Sequence, residues 1–370
     1  MIGSPPKPAR RPSLRGGILR SSWAINESIV LPEEGRPDIL IWDRFVQVAP
    51  PGGTAPMQGG SELYAVMLAT ELAKRGHKVA LTHKGLTFEA EGVQYVALPE
   101  VSRSWARWWP TKALCVQRGH AIGVVMPHLP RTVSILAHDV YSPWYDVHRP
   151  VLESGRARLL CNSKWQSKGF RYARDNRVVY PMVMPAPATE KVPGLFVYAS
   201  SAIKGLDPSV ARWRDFCKRY PAAMRGKTLV IVTHPGWCDS HKRHAGYKDE
   251  RAGISYAVAH DAATYRQIVA SAEGLFFINT YPETWCNLAV IAEQSRTRTH
   301  ILCKAGFCGI AEALSDMSLV TDNERKFERD FFEHLGSPPP TRPLVDRSPA
   351  GAIASWEEAL GLGAGEPLAA

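Results

Sequence analysis

The stretch Leu275-Phe-Phe-Ile-Asn-Thr-Tyr-Pro-Glu-Thr-Trp-Cys-Asn-Leu-Ala-Val-Ile-Ala-Glu293 says most about the architecture of this 370-residue chain. It opens with an apolar run that predicts a buried strand, and a Thr-Tyr-Pro turn follows. The apolar residues after Glu283 predict the start of a helix. In open α/β sheets, ligands bind beyond the carboxyl ends of parallel strands, and the free N–H groups of a helix start can hold a phosphate there. A carboxylate at this position therefore suits a ligand that carries both hydroxyls and phosphates.

Further segments before and after this stretch extend the pattern. They are Gly59-Gly60-Ser61-Glu62 with a helix to Arg75 and a strand Val79–Thr82, then Leu136–Val140, Leu159–Trp165, Phe196–Asp207 and Phe307-Cys-Gly-Ile-Ala-Glu312. In this order they resemble the motifs of retaining glycosyltransferases of the GT-B fold, family 4. The ordered set reaches across residues 38 to 312, so it is far more specific than any one motif.

The resemblance implies an α/β protein with the GT-B fold. Two Rossmann-like, doubly wound domains would face each other across a cleft, and a C-terminal helix (Ala350–Leu360) would cross back to the first domain. The alternation of strand and helix patterns independently favours doubly wound parallel sheets. We expect strands at Asp38–Trp42, Val79–Thr82, Val93–Ala97, Gly123–Met126, Thr132–Ala137, Arg158–Cys161, Leu195–Tyr198, Thr228–Thr233, Leu275–Asn279, His300–Cys303 and Leu319–Thr321.

Proline-rich segments suggest the domain boundaries. Residues 1–36 are predicted to be a flexible basic arm. Residues 37–186 are predicted to form the acceptor-side domain and residues 187–343 the nucleotide-sugar-binding domain. Residues 344–370 would hold the crossing helix and tail. The prolines from Pro181 to Pro193 favour an extended linker between the domains.

The resemblance also implies a role for individual residues. His138, Glu283 and Lys204 would be catalytic: Glu283 facing the sugar hydroxyls, Lys204 holding the donor diphosphate, and His138 lying near the reacting sugar. The implied donor-binding set is Gly59, Gly60, Ser200, Ser201, Lys204, Glu283, Thr284, Asn287 and Leu288, the last two through backbone N–H groups.

Each implied role has an ordinary structural alternative. Glu283 can cap a helix as a surface acid, and Lys204 can be a solvated lysine before a helix. The glycine pair at 59–60 can be a plain tight turn. His138 can be a buried residue at a strand end, bonded to Asp139. The sequence leaves these alternatives open.

The chain departs from the family pattern in two places. The family's second glutamate, which takes the ribose hydroxyls, falls at Ile291 here. Glu293 lies two residues later, and at ~100° per residue it points to a nearly opposite face of a regular helix. The family often has an arginine as a second phosphate clamp where this chain has Ala199-Ser-Ser201. The sequence therefore leaves three alternatives: the ribose is held by other residues, the nucleotide specificity differs, or activity has been lost.

Two side-chain clusters have competing interpretations. The residues His234, Cys238, His241 and His244 are of zinc-binding type. Neighbouring proline, glycine and basic residues instead favour a solvated basic loop, and the resemblance implies catalysis without a metal. The cluster Trp105-Ala-Arg-Trp-Trp109 packs against the core, stacks on bases or sugars, or lies on a membrane surface.

Composition restricts the class of protein. Hydrophobic residues at 45% and charged residues at 22% are ordinary for a globular chain, and no apolar run approaches the ~18 residues of a transmembrane helix. Seven cysteines at irregular spacing argue against a disulfide framework and predict a reducing cytoplasm, with peripheral contact to the inner membrane as an alternative. The net charge of +10 predicts attraction to polyanions.

The sequence thus predicts a retaining transferase that moves a hexosyl or pentosyl group from a nucleotide-sugar, with UDP- or GDP-sugars expected, to a hydroxyl of a glycan, polysaccharide or lipid. In one alternative the acceptor is a hydroxymethylated base in double-stranded DNA, bound by the Trp105–Trp109 cluster and the basic loop Lys242–Arg251. In another, the chain is a non-catalytic binding protein with a decayed donor site.

Overall fold

The computed structural model describes residues 36–51, 60–99, 110–117, 132–139, 143–233, 246–304, 309–315, 320–338, 341 and 344–362. Several predicted features lie outside these ranges: the N-terminal arm up to residue 35, Gly59, the strand at 123–126, the Trp105–Trp109 cluster and the four residues of zinc-binding type between 234 and 244.

The first half of the chain forms a mainly parallel sheet. Its strands are β1 (Ile39–Trp42), β2 (Val79–His83), β3 (Phe88–Ala90), β4 (Val93–Ala97), β5 (Ala113–Gln117), β6 (Thr132–Ala137), β7 (Arg158–Cys161) and β8 (Asn176–Val178). Their order is β3-β4-β2-β1-β5-β6-β7-β8. The β3–β4 pair is antiparallel, and the other pairings are parallel.

The second half forms a parallel sheet of its own. Its strands are β9 (Val192–Tyr198), β10 (Thr228–Thr233), β11 (Ile254–Val258), β12 (Ala272–Asn279), β13 (Arg298–Cys303) and β14 (Val320–Thr321). They lie in the order β11-β10-β9-β12-β13-β14, with parallel pairing throughout. The prediction of two Rossmann-like parallel sheets is confirmed, whereas the exact domain boundaries stay predictions.

Helices connect the strands. The α-helices of the described residues are α1 (Gly60–Lys74), α2 (Arg149–Glu153), α3 (Lys164–Ser167), α4 (Leu206–Arg219), α5 (Ala262–Ser271), α6 (Asn287–Gln294), α7 (Ile310–Ala313), α8 (Glu324–Glu333) and α9 (Pro349–Leu360). Short 3-10 turns occupy Pro143–His148, Lys168–Phe170 and Ala202–Lys204. Within the described ranges, no helix is long and apolar enough to cross a membrane.

Both faces of the first sheet are covered, which explains why its central strands are almost continuously apolar. In β1, Ile39 and Ile41 point to one face, where they join a core that includes Trp356. Leu40 points to the other face and joins a core with Leu152. The alternation follows the two-residue period of a strand. The second sheet has its own core.

The C-terminal helix α9 packs onto the first domain, as predicted. Trp356 is fully buried, lies edge-on to Tyr64 with ring centroids 5.2 Å apart, and donates its indole N–H to the Tyr180 carbonyl at 3.1 Å. Glu357 accepts from Arg75 at 2.8 Å and contacts His77 at 3.0 Å. The residues that follow the C-terminus of α1 are thereby bonded to α9.

Four strands of the described residues were not predicted from the sequence: β3, β5, β8 and β11. Of these, β5 lies at the centre of the first sheet, next to β1. Its apolar run is only four residues long, from Ala113 to Val116. Periodicity cannot distinguish so short a run from a piece of buried helix or loop.

Replacing Trp356 with alanine should destabilise the first domain by roughly 3–5 kcal/mol, since a buried indole leaves a cavity and an unpaired carbonyl. Urea unfolding followed by far-UV circular dichroism measures this. Glu358→Ala, an exposed position on the same helix, is the matched control and should stay within about 0.5 kcal/mol of the parent. Equal stabilities for the two variants would show that α9 is not anchored through Trp356.

Candidate active site

The carboxyl ends of strands from both sheets border one cavity of about 390 Å³. From the first sheet, His138 follows β6 and Asn162 follows β7. From the second sheet, Lys204 lies beyond β9 and Glu283 beyond β12. Because ligands of parallel α/β sheets bind at this edge of the strands, the cavity is the leading candidate for a binding site.

Lys204 is positioned by a glycine. Gly205, the next residue, has φ of 122°, and a Cβ atom there would lie 1.8 Å from the Ile278 carbonyl oxygen. The backbone N–H of Thr280 donates to the Lys204 carbonyl at 3.2 Å, which joins this turn to the end of β12. A side chain at position 205 would push the two strand ends apart, so glycine is required there.

Glu283 is positioned by a turn that a side chain stabilises. The Asn279 amide group donates to the Tyr281 carbonyl at 2.6 Å, and its oxygen accepts the Tyr281 N–H at 3.2 Å. Asparagine is favoured in turns because its side chain can bond nearby backbone in this way. The Glu283 carbonyl also accepts the Gly309 N–H at 2.8 Å.

Lys204 and Glu283 form an ion pair. The distance from Lys204 Nζ to Glu283 Oε1 is 2.5 Å, with 9% of the glutamate side chain and 31% of the lysine side chain exposed. Burial alone would lower the pKa of Lys204, but the charge of Glu283 and the hydrogen bond to it hold that pKa above its usual value. Lys204 is therefore a permanent cation at neutral pH, beside a carboxylate that can accept hydroxyls.

The start of α6 adds backbone donors to the same cavity. The side chain of Cys286, at the N-cap, accepts no hydrogen bond from the first turn of this helix, so that turn keeps donor capacity toward the cavity. Gly60, at the start of α1, approaches α6 so closely that a Cβ atom there would lie 2.8 Å from Asn287 Nδ2. Two helix starts, one from each domain, thus meet at the cavity.

The first-domain side of the cavity carries His138. Its Nε2 lies 2.7 Å from Gln117 Oε1, and its ring lies edge-on to Tyr64 with centroids 6.0 Å apart. The His138 carbonyl accepts the Thr284 hydroxyl at 2.6 Å. The backbone at His138 is therefore bonded directly to the residue after Glu283, in the other domain.

The structure brings the predicted site residues together. Nine of the ten line the cavity: Gly60, His138, Ser200, Ser201, Lys204, Glu283, Thr284, Asn287 and Leu288. The tenth, Gly59, lies outside the described residues. Their proximity supports a common site.

The helix-phase argument about positions 291 and 293 agrees with the structure. Ile291 lines the cavity. Glu293 instead accepts the backbone N–H of Ser315 at 2.9 Å and the Ser315 hydroxyl at 2.9 Å. The buried Glu293 carboxylate is thus bonded within the second domain and does not line the cavity.

Sequence reasoning missed Arg266, a second cationic side chain that lines the cavity. It projects from α5, where the Tyr265 hydroxyl donates to the Ala199 carbonyl at 2.5 Å and fixes the helix against the end of β9. Among the described residues, Arg266 Nε has no hydrogen-bond partner, and burial lowers the pKa of this guanidinium. An arginine in mid-helix gives no local signal of such a role.

Gly205→Ala should destabilise the chain more than Gly76→Ala. Both glycines have positive φ, at 122° and 89°, but a Cβ at position 76 meets nothing within 4 Å. Gly76→Ala therefore reports only the backbone strain, about 1–2 kcal/mol, and Gly205→Ala adds the clash with Ile278. Urea unfolding of both variants measures the difference. Equal losses would show that the turn after Lys204 tolerates a side chain.

Comparison with known protein structures identifies the fold. No known protein-family profile matches the sequence, and no curated protein sequence matches it. Sucrose-phosphate synthase from Thermosynechococcus elongatus matches in structure with a TM-score of 0.61 at 12% identity, over 87% of this chain and 93% of that chain. Trehalose 6-phosphate synthase from Burkholderia multivorans gives a TM-score of 0.57 at 11% identity, over 88% and 94% of the two chains.

HepE from Anabaena, crystallised with UDP-glucose, is also similar. It gives a TM-score of 0.56 at 13% identity, over 87% of this chain and 95% of that chain. At such identities the likeness is one of fold, and it extends over nearly the whole length of each structure. The chain therefore has the GT-B fold found in these glycosyltransferases, as its sequence motifs predicted.

Proposed function

We propose that this protein is a retaining glycosyltransferase, which moves a sugar from a nucleoside diphosphate sugar to an acceptor hydroxyl. The observation that carries the proposal is the Lys204–Glu283 ion pair, 2.5 Å long, in a cavity lined by the start of α6. The lysine cation and the backbone N–H groups at the start of α6 suit a diphosphate, and the Glu283 carboxylate beside them can accept hydrogen bonds from sugar hydroxyls. A glutamate that only caps a helix, or a lysine that is only solvated, would not require these groups to lie together.

The diphosphate is the group that Lys204 and α6 would hold. The backbone N–H groups of Asn287 and Leu288 at the helix start carry partial positive charge, which favours an anion. Lys204 adds a full charge, and Arg266 from the same cavity offers a second one. Arg266 would then replace the phosphate-binding arginine that the family often has near the position of Ser200.

Glu283 would bind the sugar. When the diphosphate takes Lys204 as its partner, the Glu283 carboxylate is left to accept sugar hydroxyls. Ile291 provides no acceptor for the ribose hydroxyls, so the nucleoside would be held less tightly than by a carboxylate at that position. This supports modest donor affinity and does not require a loss of activity.

His138 and the first-domain wall would receive the acceptor. In the proposed step, the bond between the anomeric carbon and the diphosphate oxygen breaks, and the acceptor oxygen forms its bond on the same face of the sugar. The leaving phosphate oxygen takes the acceptor proton. The protein contributes positioning and stabilises charge on the leaving diphosphate through Lys204 and α6.

The acceptor class remains a prediction: a glycan, polysaccharide or lipid hydroxyl. The DNA alternative rested on Trp105–Trp109 and Lys242–Arg251, and residues 105–109 and 242–245 lie outside the described part of the chain. The cytoplasmic location and the choice between hexosyl and pentosyl donors likewise stay predictions. HepE was crystallised with UDP and UDP-glucose, which makes these the first probes to use.

Lys204→Ala should weaken UDP binding. A lost charge-assisted hydrogen bond corresponds to roughly 1.5–3 kcal/mol, or about 10- to 150-fold in Kd. Isothermal titration calorimetry with UDP measures this. Because the substitution leaves Glu283 buried without its partner, Lys204→Ala/Glu283→Gln is the second variant and should show the same loss.

The matched control is Lys227→Ala. Lys227 pairs with Glu273 in the same domain at 3.4 Å and does not line the cavity, so its loss should leave the UDP affinity unchanged. If both Lys204 variants bind UDP as tightly as the parent chain, Lys204 is not a diphosphate ligand.

UDP release from UDP-glucose should continue at the parent rate in excess EDTA. The proposed phosphate ligands are Lys204, Arg266 and backbone N–H groups, which need no bridging cation. Coupled detection of UDP measures the rate before and after the chelator. A loss of turnover that added Mg²⁺ or Mn²⁺ restores would contradict metal-independent transfer.

A further inference from the structure

Glu312, on the short helix α7, contacts the opposite domain. One carboxylate oxygen accepts the backbone N–H of Lys164 and the other that of Trp165, each at 2.7 Å. Both N–H groups belong to the first turn of α3, which follows β7 of the first sheet. The carboxylate of a second-domain residue thus satisfies donors that α3 cannot satisfy within its own helix. Glu312 does not line the cavity.

The residues around Glu312 connect this contact to the candidate site. Gly309, at the start of α7, donates its N–H to the Glu283 carbonyl at 2.8 Å. A Cβ atom on Gly309 would lie 1.8 Å from the backbone carbonyl oxygen of Thr284 and 2.8 Å from Ser163 Oγ of the first domain. The two domains therefore meet at Gly309 with no room for a side chain. The Thr284 hydroxyl in turn donates to the His138 carbonyl at 2.6 Å.

Aromatic packing supports the same junction. Trp165, whose N–H bonds Glu312, packs against the core of the second domain. Tyr180 lies beside Trp285 with ring centroids 5.4 Å apart, and the Arg347 guanidinium lies 4.2 Å from the Tyr180 ring centroid. The pKa of Tyr180 is raised mainly by burial and also by the negative charge of the nearby Glu312 carboxylate. The contact is thus part of a packed interface.

We infer that Glu312 is a positioning residue for sugar transfer, which fixes the first turn of α3 against the second domain and so sets the separation of His138 from Glu283 and Lys204. This inference rests on the proposed function. Glu312 touches neither donor nor acceptor in it. Its effect passes through α3 and Gly309 to the two sides of the cavity, where a displacement of about 1 Å can cost roughly 100-fold in rate.

The test compares Glu312→Gln with Glu293→Gln. Glu312 accepts two backbone N–H groups across the domains, whereas Glu293 accepts the N–H and the hydroxyl of Ser315 within its own domain. In Glu312→Gln the carboxamide can accept one N–H, but its own NH₂ faces the second N–H donor. In Glu293→Gln the carboxamide removes the charge from the contact with Ser315. Each substitution therefore weakens a carboxylate contact to backbone, and only the contact of Glu312 joins the two domains.

Two readouts are needed. Hydrogen exchange should accelerate at the amides of Lys164 and Trp165 in Glu312→Gln, and near Ser315 in Glu293→Gln. Turnover of UDP-glucose, measured as UDP release, should fall roughly 10- to 100-fold in Glu312→Gln, with the Kd for UDP within about twofold of the parent. Glu293→Gln should keep turnover within about twofold. Glu312→Asp, which keeps the charge, should recover part of the loss.

Three results would overturn the inference: unchanged exchange at Lys164 and Trp165, equal turnover losses in the two variants, or a loss of UDP affinity that accounts for the whole effect of Glu312→Gln. If that variant does not fold, Glu312→Asp carries the same comparison. Should the parent chain transfer no sugar and bind no UDP, the proposed function fails. The exchange data would then still decide whether Glu312 joins the domains.

Discussion

The ion pair between Lys204 and Glu283 depends on two strands ending side by side. β9 and β12 are adjacent and parallel, so the residues that follow them emerge at the same edge of the second sheet. Gly205 removes the side chain that would separate the two strand ends. Helix α6 then begins within a few residues of Glu283. The positions of Lys204, Glu283 and the start of α6 thus follow from the pairing of β9 with β12.

The candidate site also depends on the first domain, which faces this edge of the second sheet. Thr284 bonds the backbone of His138, Gly60 approaches Asn287, and Glu312 bonds the first turn of α3. All three contacts use backbone or a glycine, so they fix distances closely. The cavity between the sheets is therefore bordered by elements of both domains, an arrangement that suits transfer between a donor on one side and an acceptor on the other.

Much of this could be predicted from the sequence because the signals are local. The strand before Glu283 and the residues after it form one continuous pattern, and the helical period alone placed Ile291 and Glu293 on different faces. Contacts between distant segments gave no such signal. Glu312 and Lys164 are 148 positions apart, and Arg266 looks like any arginine of a surface helix. The short strand β5 was missed because four apolar residues are ambiguous.

The most direct test of the proposed donor site is a crystal structure of the protein with UDP. We expect a phosphate oxygen within hydrogen-bonding distance of Lys204 Nζ and of the backbone N–H of Asn287 or Leu288, with the Lys204–Glu283 pair opened. Diphosphate density elsewhere in the molecule, with that ion pair unchanged, would contradict the assignment of this site.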